Sequence, residues 1–171
     1  SDVGPVAGMG LARRMAHLTY RSENELDTRF GRSAQGEESP INGGRFAVES
    51  YLDHHANKLA RRFDANTYVA LTRAMSLFDL GEGRGGVERS LGTITAPLTV
   101  VGIDSDRLFP LRLQQEIVDL TPGADQLHVL ESVVGHDGFL VEEEQVARFV
   151  QHALSRVENP APAVEKMVFH S

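Results

Sequence analysis

An aspartate and a histidine in two short loops carry the chemistry of a catalytic acid–base pair. Asp106 stands within Asp-Ser-Asp-Arg-Leu-Phe-Pro at residues 104–110, and His136 within Gly-His-Asp-Gly-Phe at residues 135–139. An imidazole can take the proton of a serine hydroxyl while a carboxylate holds its other ring nitrogen. We therefore expect His136 to act as the base and Asp106 to orient it.

The nucleophile that such a pair activates is absent from the sequence. Enzymes with the chain order serine, aspartate, histidine carry the serine in a Gly-x-Ser-x-Gly turn between a strand and a helix. No stretch has this pattern, and the nearest match, at residues 31–36, has the wrong spacing. We expect an acyl-transfer enzyme whose serine lies upstream of this sequence, so that this chain alone is inactive.

Two consecutive strand–loop–helix units position the pair. An apolar run at residues 98–103 and a second run at 126–130 predict two strands, each followed by a helix. Ligands collect at the carboxyl ends of parallel strands, which is where the two loops fall. Asp104 competes with Asp106, but Asp106 lies further past the strand. Outside such a pair, an aspartate in a turn or a histidine beside glycine is ordinarily a loop residue.

The sequence before the first strand is helical in character. We expect a helical region at 1–92 with a mobile loop near 31–45, an α/β core at 93–158 and a tail at 159–171. The loop is rich in Gly, Ser and Glu and nearly free of apolar residues. Helical periodicity within the first region appears at residues 10–21, 46–63, 65–77 and 87–91.

Composition narrows the function classes. The 171 residues carry a formal charge of −7, which argues against a nucleic-acid or anionic membrane partner. No cysteine is present and no apolar run is long enough to span a membrane, so we expect a cytoplasmic protein without disulfides. We expect no metal site, because His54 and His55 are adjacent and no carboxylate or histidine grouping is evident for the others: His17, His128, His152 and His170.

Four segments together resemble the homoserine O-acetyltransferase family, especially its actinobacterial members. They are residues 10–22, residues 46–80, the Asp106 loop and the Gly-His-Asp-Gly-Phe-Leu segment at 135–140. The resemblance implies the C-terminal part of an α/β-hydrolase fold, a parallel sheet flanked by helices. It also implies that the helical first half is a lid inserted between the later strands.

The resemblance also implies an activity and its site residues. Acetyl-CoA, as co-substrate rather than bound cofactor, would acetylate a serine, and the hydroxyl of L-homoserine would then take the acetyl group, giving O-acetyl-L-homoserine for methionine biosynthesis. Arg13 would hold the homoserine carboxylate, Tyr20 would be a lid tyrosine of the active site, and Asp137 would receive the ammonium. Without the resemblance, Arg13 is a residue of a solvated helix face. The resemblance further implies a homodimer formed through the lid.

Three alternatives stay open at this stage. The chain could belong to a homoserine O-succinyltransferase, which differs in its acyl donor, or to an α/β-hydrolase esterase. The residues that would separate these enzymes from an acetyltransferase lie outside the sequence. The chain could also be a non-catalytic fragment that serves as a dimerisation module.

Overall fold

The computed structural model describes residues 4–158, which divide into two compact units. The first unit contains the described residues up to Phe78 together with Val133–His136. The second contains Asp79–Ser132 and residues 137–158. The expected tail at 159–171, with His170, lies outside the described residues. No helix among residues 4–158 combines the length and the apolar character needed to cross a bilayer.

Four α-helices form the framework of the first unit, and three of them were predicted. The predicted ones are α1 (Val6–Tyr20), α3 (Ala47–Arg62) and α4 (Ala65–Leu77). The other, α2 (Glu23–Phe30), has a side-chain cap, since Ser22 Oγ accepts the backbone N–H of Glu25 at 3.0 Å. Ser-x-x-Glu is a recognised helix-start pattern, so the sequence did contain a signal for α2.

Helices α1 and α3 pack on each other through small and apolar side chains. Met9, Ala56 and Leu59 are buried. At Gly10 an added Cβ would lie 3.5 Å from Ala56 Cβ, an ordinary van der Waals contact, so small residues face each other where the two helices meet. Arg14 adds a polar tie, donating to Asp53 Oδ1 from Nε at 3.0 Å and from Nη2 at 2.7 Å.

The stretch expected to be a mobile loop contains local structure. Ala34 and Phe46 form an isolated antiparallel bridge, and Pro40–Asn42 is a 3₁₀ helix. The Arg45 guanidinium pairs with the Glu38 carboxylate at 2.6 Å. The mobility of this stretch stays a prediction.

The second unit contains a parallel pair of strands flanked by helices, as the sequence predicted. Its elements are α5 (Val87–Gly92), β1 (Leu98–Ile103), α6 (Leu111–Leu120), β2 (Ala124–Leu130) and α7 (Glu143–Glu158). The strand register places Val101 opposite His128 and Ile103 opposite Leu130. Because the two strands pair in parallel, with α6 as their connection, their carboxyl ends lie at the same edge of the sheet.

Apolar burial and two glycines explain the close packing of this unit. Val100, Ile103 and Leu130 of the strands are buried against helices that include α6. A Cβ at Gly102 would lie 2.6 Å from the end of the Leu111 side chain. A Cβ at Gly123 would lie 2.1 Å from the Ala96 carbonyl oxygen, so the turn before β2 requires glycine.

Candidate active site

Asp106 lies just beyond β1, in the second unit, and its carboxylate is held by the backbone. The residue is 8% exposed. Its Oδ1 accepts the N–H groups of Leu108 at 2.8 Å and Phe109 at 3.0 Å. Two such bonds fix the orientation of the carboxylate. A buried, fixed carboxylate is what the orienting role requires.

Asp104, the competing carboxylate, is exposed and has a structural task. Its Oδ1 accepts the N–H of Ser132 at 3.0 Å, and its own N–H donates to the Leu130 carbonyl at 3.1 Å. The Ser105 hydroxyl also donates to the Ser132 carbonyl. These contacts join the carboxyl ends of β1 and β2. The burial and the bonding of the two aspartates therefore favour Asp106 for the orienting role.

His136 lies in the first unit, next to the last residue of α1. Its ring is half-buried, with its centroid 5.3 Å from that of the Tyr20 ring. The segment before it is tied to the start of α2, because the Ser22 N–H donates to the Val134 carbonyl at 3.1 Å and the Ser22 hydroxyl donates to the Val133 carbonyl. Ser22 thus caps α2 and positions the histidine loop, a role that the sequence analysis missed.

Gly135, directly before His136, adopts a backbone conformation that residues with a side chain disfavour. Its φ is +91°, in the region that favours glycine. A Cβ there would also lie 2.6 Å from Ser22 N and 2.8 Å from the Tyr20 carbonyl oxygen. The glycine therefore allows the close approach between the His136 loop and the end of α1.

Gly135→Ala is expected to destabilise the protein by about 3 kcal/mol or more, because it combines a strained φ with backbone contacts that cannot move aside. Gly43→Ala is the matched control, since Gly43 has a φ of +84° but nothing within 4 Å of its Cβ position. Gly43→Ala should lower the free energy of unfolding only by the backbone strain at this φ, about 1 kcal/mol. Urea unfolding of both variants measures the difference, and equal losses would refute the role given to close packing.

The remaining predicted site residues have distinct locations. Arg13 lies on α1, two turns before Tyr20, and borders a cleft with residues of α3. Asp137 is half-buried in the second unit and follows His136 in the 3₁₀ helix His136–Leu140. The structure thus brings Tyr20 and His136 together within the first unit.

His17 is a buried histidine of α1, one turn before Tyr20. It is 4% exposed, its Nδ1 lies 3.0 Å from the Tyr51 hydroxyl, and its ring centroid lies 4.0 Å from that of His55. Burial, together with the positive charges of His55, Arg13 and Arg21, lowers the pKa of His17 to about 4. The side chain is therefore neutral at pH 7.

Acid is expected to destabilise the protein through His17. Its folded-state pKa of about 4 lies below the ordinary value of 6.5, so the unfolded chain binds the extra proton. The contribution of neutral His17 to the free energy of unfolding is fully present above pH 6.5. It falls by about 3 kcal/mol as the pH approaches 4. His17→Gln should remove this part of the pH dependence measured by urea unfolding. An unchanged pH dependence in the variant would contradict the assignment.

The expectation that His128 and His152 lack a grouping is wrong. Both Nε2 atoms lie near Asp125 Oδ2, at 3.2 Å for His128 and 2.6 Å for His152, and Arg156 Nη1 lies 3.5 Å from Oδ1. Burial raises the pKa of Asp125, but hydrogen bonds from His152, the Gln126 N–H and His128, with the charge of Arg156, lower it well below its usual range.

This three-residue cluster of Asp125, His128 and His152 is also where a metal could be held. One ligand atom from each residue lies within 4.8 Å of the others. The carboxylate is already bonded to both imidazoles, and Arg156 shares it. Arg156 also donates to the carbonyls of Leu98 at 2.6 Å and Gly123 at 2.9 Å. Arg156 and the cluster together therefore tie α7 to the beginning of both strands.

Solved structures with the same arrangement define the class of fold. Homoserine O-acetyltransferase from Bacillus anthracis matches 88% of this chain and 42% of its own, with a TM-score of 0.71 and 22% identity. An acetylester hydrolase from Corynebacterium glutamicum matches 90% of this chain and 42% of its own, with a TM-score of 0.67 and 23% identity. The chain has part of an α/β-hydrolase fold, as predicted.

Curated relatives narrow the class further, although no protein-family model matches the chain. Homoserine O-acetyltransferase from Thermobifida fusca is 58% identical over 153 residues, 90% of this chain and 40% of the relative. The enzyme of that name from Mycobacterium tuberculosis is 58% identical over 150 residues, 88% of this chain and 40% of the relative. The chain is homologous to homoserine O-acetyltransferases, which are acyltransferases, and it spans about 40% of their length.

Proposed function

We propose that this chain supplies the base, its orienting carboxylate and the substrate contacts of a homoserine O-acetyltransferase. The enzyme would transfer acetyl from acetyl-CoA to the hydroxyl of L-homoserine in the cytoplasm, for methionine biosynthesis, with no permanently bound cofactor. The observation that carries the proposal is the 58% identity over 153 residues to the relative from Thermobifida fusca. The nucleophilic serine would come from residues outside this sequence.

The proposed reaction is a double displacement in which His136 acts twice. In the first half, His136 takes the proton of the serine hydroxyl as its oxygen attacks the thioester carbonyl. The C–S bond then breaks and the proton passes to the CoA sulfur, leaving an acetyl-serine. In the second half, His136 deprotonates the homoserine hydroxyl, whose oxygen takes the acetyl group while the proton returns to serine.

Asp106 would hold His136 in the tautomer that this chemistry needs. A carboxylate bonded to one ring nitrogen leaves the other free to accept the proton, and it stabilises the imidazolium that forms. Support comes from the burial of Asp106 and from its two bonds to backbone N–H groups. Those bonds would keep the carboxylate from turning away from the imidazole.

Homoserine is a zwitterion and needs a partner for each charge. Arg13 would pair with its carboxylate and Asp137 with its ammonium, because unpaired charges in a closed site are costly. Tyr20 would contact the substrate beside the base, which is supported by the 5.3 Å between the centroids of its ring and the His136 ring. These roles follow the family resemblance.

The partner surface we propose is the apolar side of the lid helices. Leu11 and Met15 of α1 are 58% and 60% exposed, and Leu71 and Met75 of α4 are 52% and 71% exposed. A second copy of the protein would cover such side chains in a homodimer. A monomer in sedimentation equilibrium of the full-length protein would refute this proposal.

A panel of substrates tests the function against its alternatives. The full-length protein should form O-acetyl-L-homoserine from acetyl-CoA and homoserine, detected by mass spectrometry. Faster transfer from succinyl-CoA would instead identify a succinyltransferase. An esterase is the second candidate, favoured by the fold match to an acetylester hydrolase, and it would release acetate from simple esters without needing homoserine. No product from any substrate would favour a non-catalytic module.

A further inference from the structure

Two imidazoles and one carboxylate converge on a single point in the second unit, outside the site proposed for acetyl transfer. The Nε2 atoms of His128 and His152 lie 3.2 Å and 2.6 Å from the same oxygen, Asp125 Oδ2. The centroids of the two imidazole rings are 4.7 Å apart. We call these three side chains the Asp125 cluster. It joins β2 to α7 through residues that are 27 positions apart in the chain.

An irregularity in β2 brings the two strand residues of the cluster to the same side of the sheet. The pairing advances by two residues along β1, from Leu98 to Val100, but by three along β2, ending at Leu127. In a regular strand Asp125 and His128, three residues apart, would point to opposite faces. The extra residue in β2 changes this alternation, as a β-bulge does where it re-aims a side chain. Both side chains can therefore reach one helix, α7.

Helix α7 supplies the third member of the cluster and a partner for the carboxylate. Phe149, His152 and Arg156 recur at steps of three and four, so they share one face of the helix. The Phe149 ring lies 5.6 Å from the His128 ring, measured between centroids. Arg156 Nη1 lies 3.5 Å from Asp125 Oδ1. The guanidinium thus holds one carboxylate oxygen and leaves Oδ2 directed at the two imidazoles.

We propose that the Asp125 cluster binds a Zn²⁺ ion through the two Nε2 atoms and Asp125 Oδ2. Imidazole nitrogens with a carboxylate oxygen are ligands that Zn²⁺ prefers, and a water molecule would fill the fourth position. The inference does not rest on the proposed acetyl transfer. It replaces the expectation, drawn from sequence spacing, that the chain has no metal site.

The distances within the cluster fit a small ion with tetrahedral coordination. Zinc bonds of about 2.0–2.1 Å place neighbouring ligand atoms about 3.3 Å apart. The separations of 3.2 Å and 2.6 Å are close to this value, and one ligand atom of each residue lies within 4.8 Å of the others. Small side-chain rotations would therefore seat the ion. Each neutral imidazole would then carry its hydrogen on Nδ1 and offer the lone pair of Nε2.

Partial burial gives the ion both a supported site and a route of entry. The side chain of His128 is 12% exposed and that of Asp125 is 22% exposed, whereas that of His152 is 41% exposed. An ion could enter from the His152 side, where water would complete its coordination. The metal–ligand bonds would link α7 to β2. An ion that binds only the folded chain stabilises it by mass action.

Calorimetric titration of the metal-free full-length protein with ZnCl₂ tests the inference without any turnover. His152→Gln and Asp125→Asn each remove one ligand, and each should raise the Kd of a zinc ion about 100-fold. Glutamine retains a hydrogen-bond donor for Asp125, and asparagine retains an acceptor for the imidazoles, so both variants should fold. Because the two ligands come from different elements, a loss of affinity in both variants locates the ion between them.

Two controls separate this site from general metal binding. His54→Gln removes an exposed histidine of α3 in the first unit, and it should leave the zinc affinity unchanged. Mg²⁺, which prefers oxygen ligands, should not compete with zinc. Zinc at 100 times its Kd should raise the midpoint of thermal unfolding of the unaltered protein by about 4 °C. This rise should disappear in His152→Gln.

Three results would overturn the inference. The first is a metal-free protein that takes up no zinc in the titration. The second is an equal zinc affinity in the unaltered protein, His152→Gln and Asp125→Asn, because the ion would then bind elsewhere. The third is zinc binding that leaves the midpoint of thermal unfolding unchanged, since the ion would then not link α7 to β2 in the folded chain. In each case the Asp125 cluster would be a hydrogen-bonded contact alone.

Discussion

His136→Ala in the full-length protein is expected to lower kcat for acetyl transfer about 10⁵-fold. The imidazole is proposed to move a proton in both halves of the reaction, so no half-reaction bypasses it. The residual rate would come from binding and from stabilisation of the oxyanion. Steady-state kinetics with acetyl-CoA and homoserine measures this loss.

A folding defect must be separated from a chemical one in this variant. The His136 ring lies against Tyr20, so its removal also leaves a gap beside α1. Circular dichroism and thermal unfolding would show whether the fold survives. His152→Ala is the matched control, since the His152 side chain is 41% exposed and lies in the second unit, and the variant should retain nearly full kcat. More than a tenth of the activity left in His136→Ala would contradict its role as base.

Asp106→Asn is expected to lower kcat about 10⁴-fold while changing the KM for homoserine little. The amide oxygen can still accept the N–H groups of Leu108 and Phe109, so the loop should keep its shape. The amide lacks the negative charge that stabilises an imidazolium, and its NH₂ group would favour the wrong imidazole tautomer. Steady-state kinetics and the pH dependence of kcat measure the effect.

Asp104→Asn provides the matched control for this substitution. Asp104 lies two residues earlier and accepts the Ser132 N–H at 3.0 Å, a bond that the amide oxygen preserves. Its kcat should stay within about threefold of the unaltered protein. If the two variants lost equal activity, the choice of Asp106 over Asp104 would be wrong.

Periodicity predicted most of the helices and strands, and its failures have physical causes. The strand Leu98–Ile103 and the helix Ala65–Leu77 have the predicted bounds. Helix α2, with the sequence ENELDTRF, was missed because it has only two apolar residues, Leu26 and Phe30, too few to establish a helical period. Its N-terminus is instead defined by the Ser22 cap, and Ser22 also binds Val133, 111 residues away in the chain. Contacts between residues so far apart in the chain leave no recognisable pattern in the local sequence.

The sequence was sufficient to predict which residues of the candidate site could do chemistry. It was not sufficient to predict the contacts that hold those residues in place. Asp106 and His136 stand out by type and spacing, whereas the close approach at Gly135 depends on where α1 ends. The cluster of Asp125, His128 and His152 was missed for a similar reason. The strand was predicted to begin at residue 126, but β2 begins at Ala124 and therefore includes Asp125. Neither the register of β2 nor the position of α7 follows from local sequence.

Intact-mass analysis of the full-length protein mixed with acetyl-CoA alone, followed by a homoserine chase, tests the central claim most directly. The proposed double displacement predicts one acetyl group bound to the protein before the chase and its complete transfer to O-acetyl-L-homoserine afterwards. His136→Ala should show neither step on the same timescale. An acetyl adduct that decays only to acetate, or product formed without any adduct, would contradict the account.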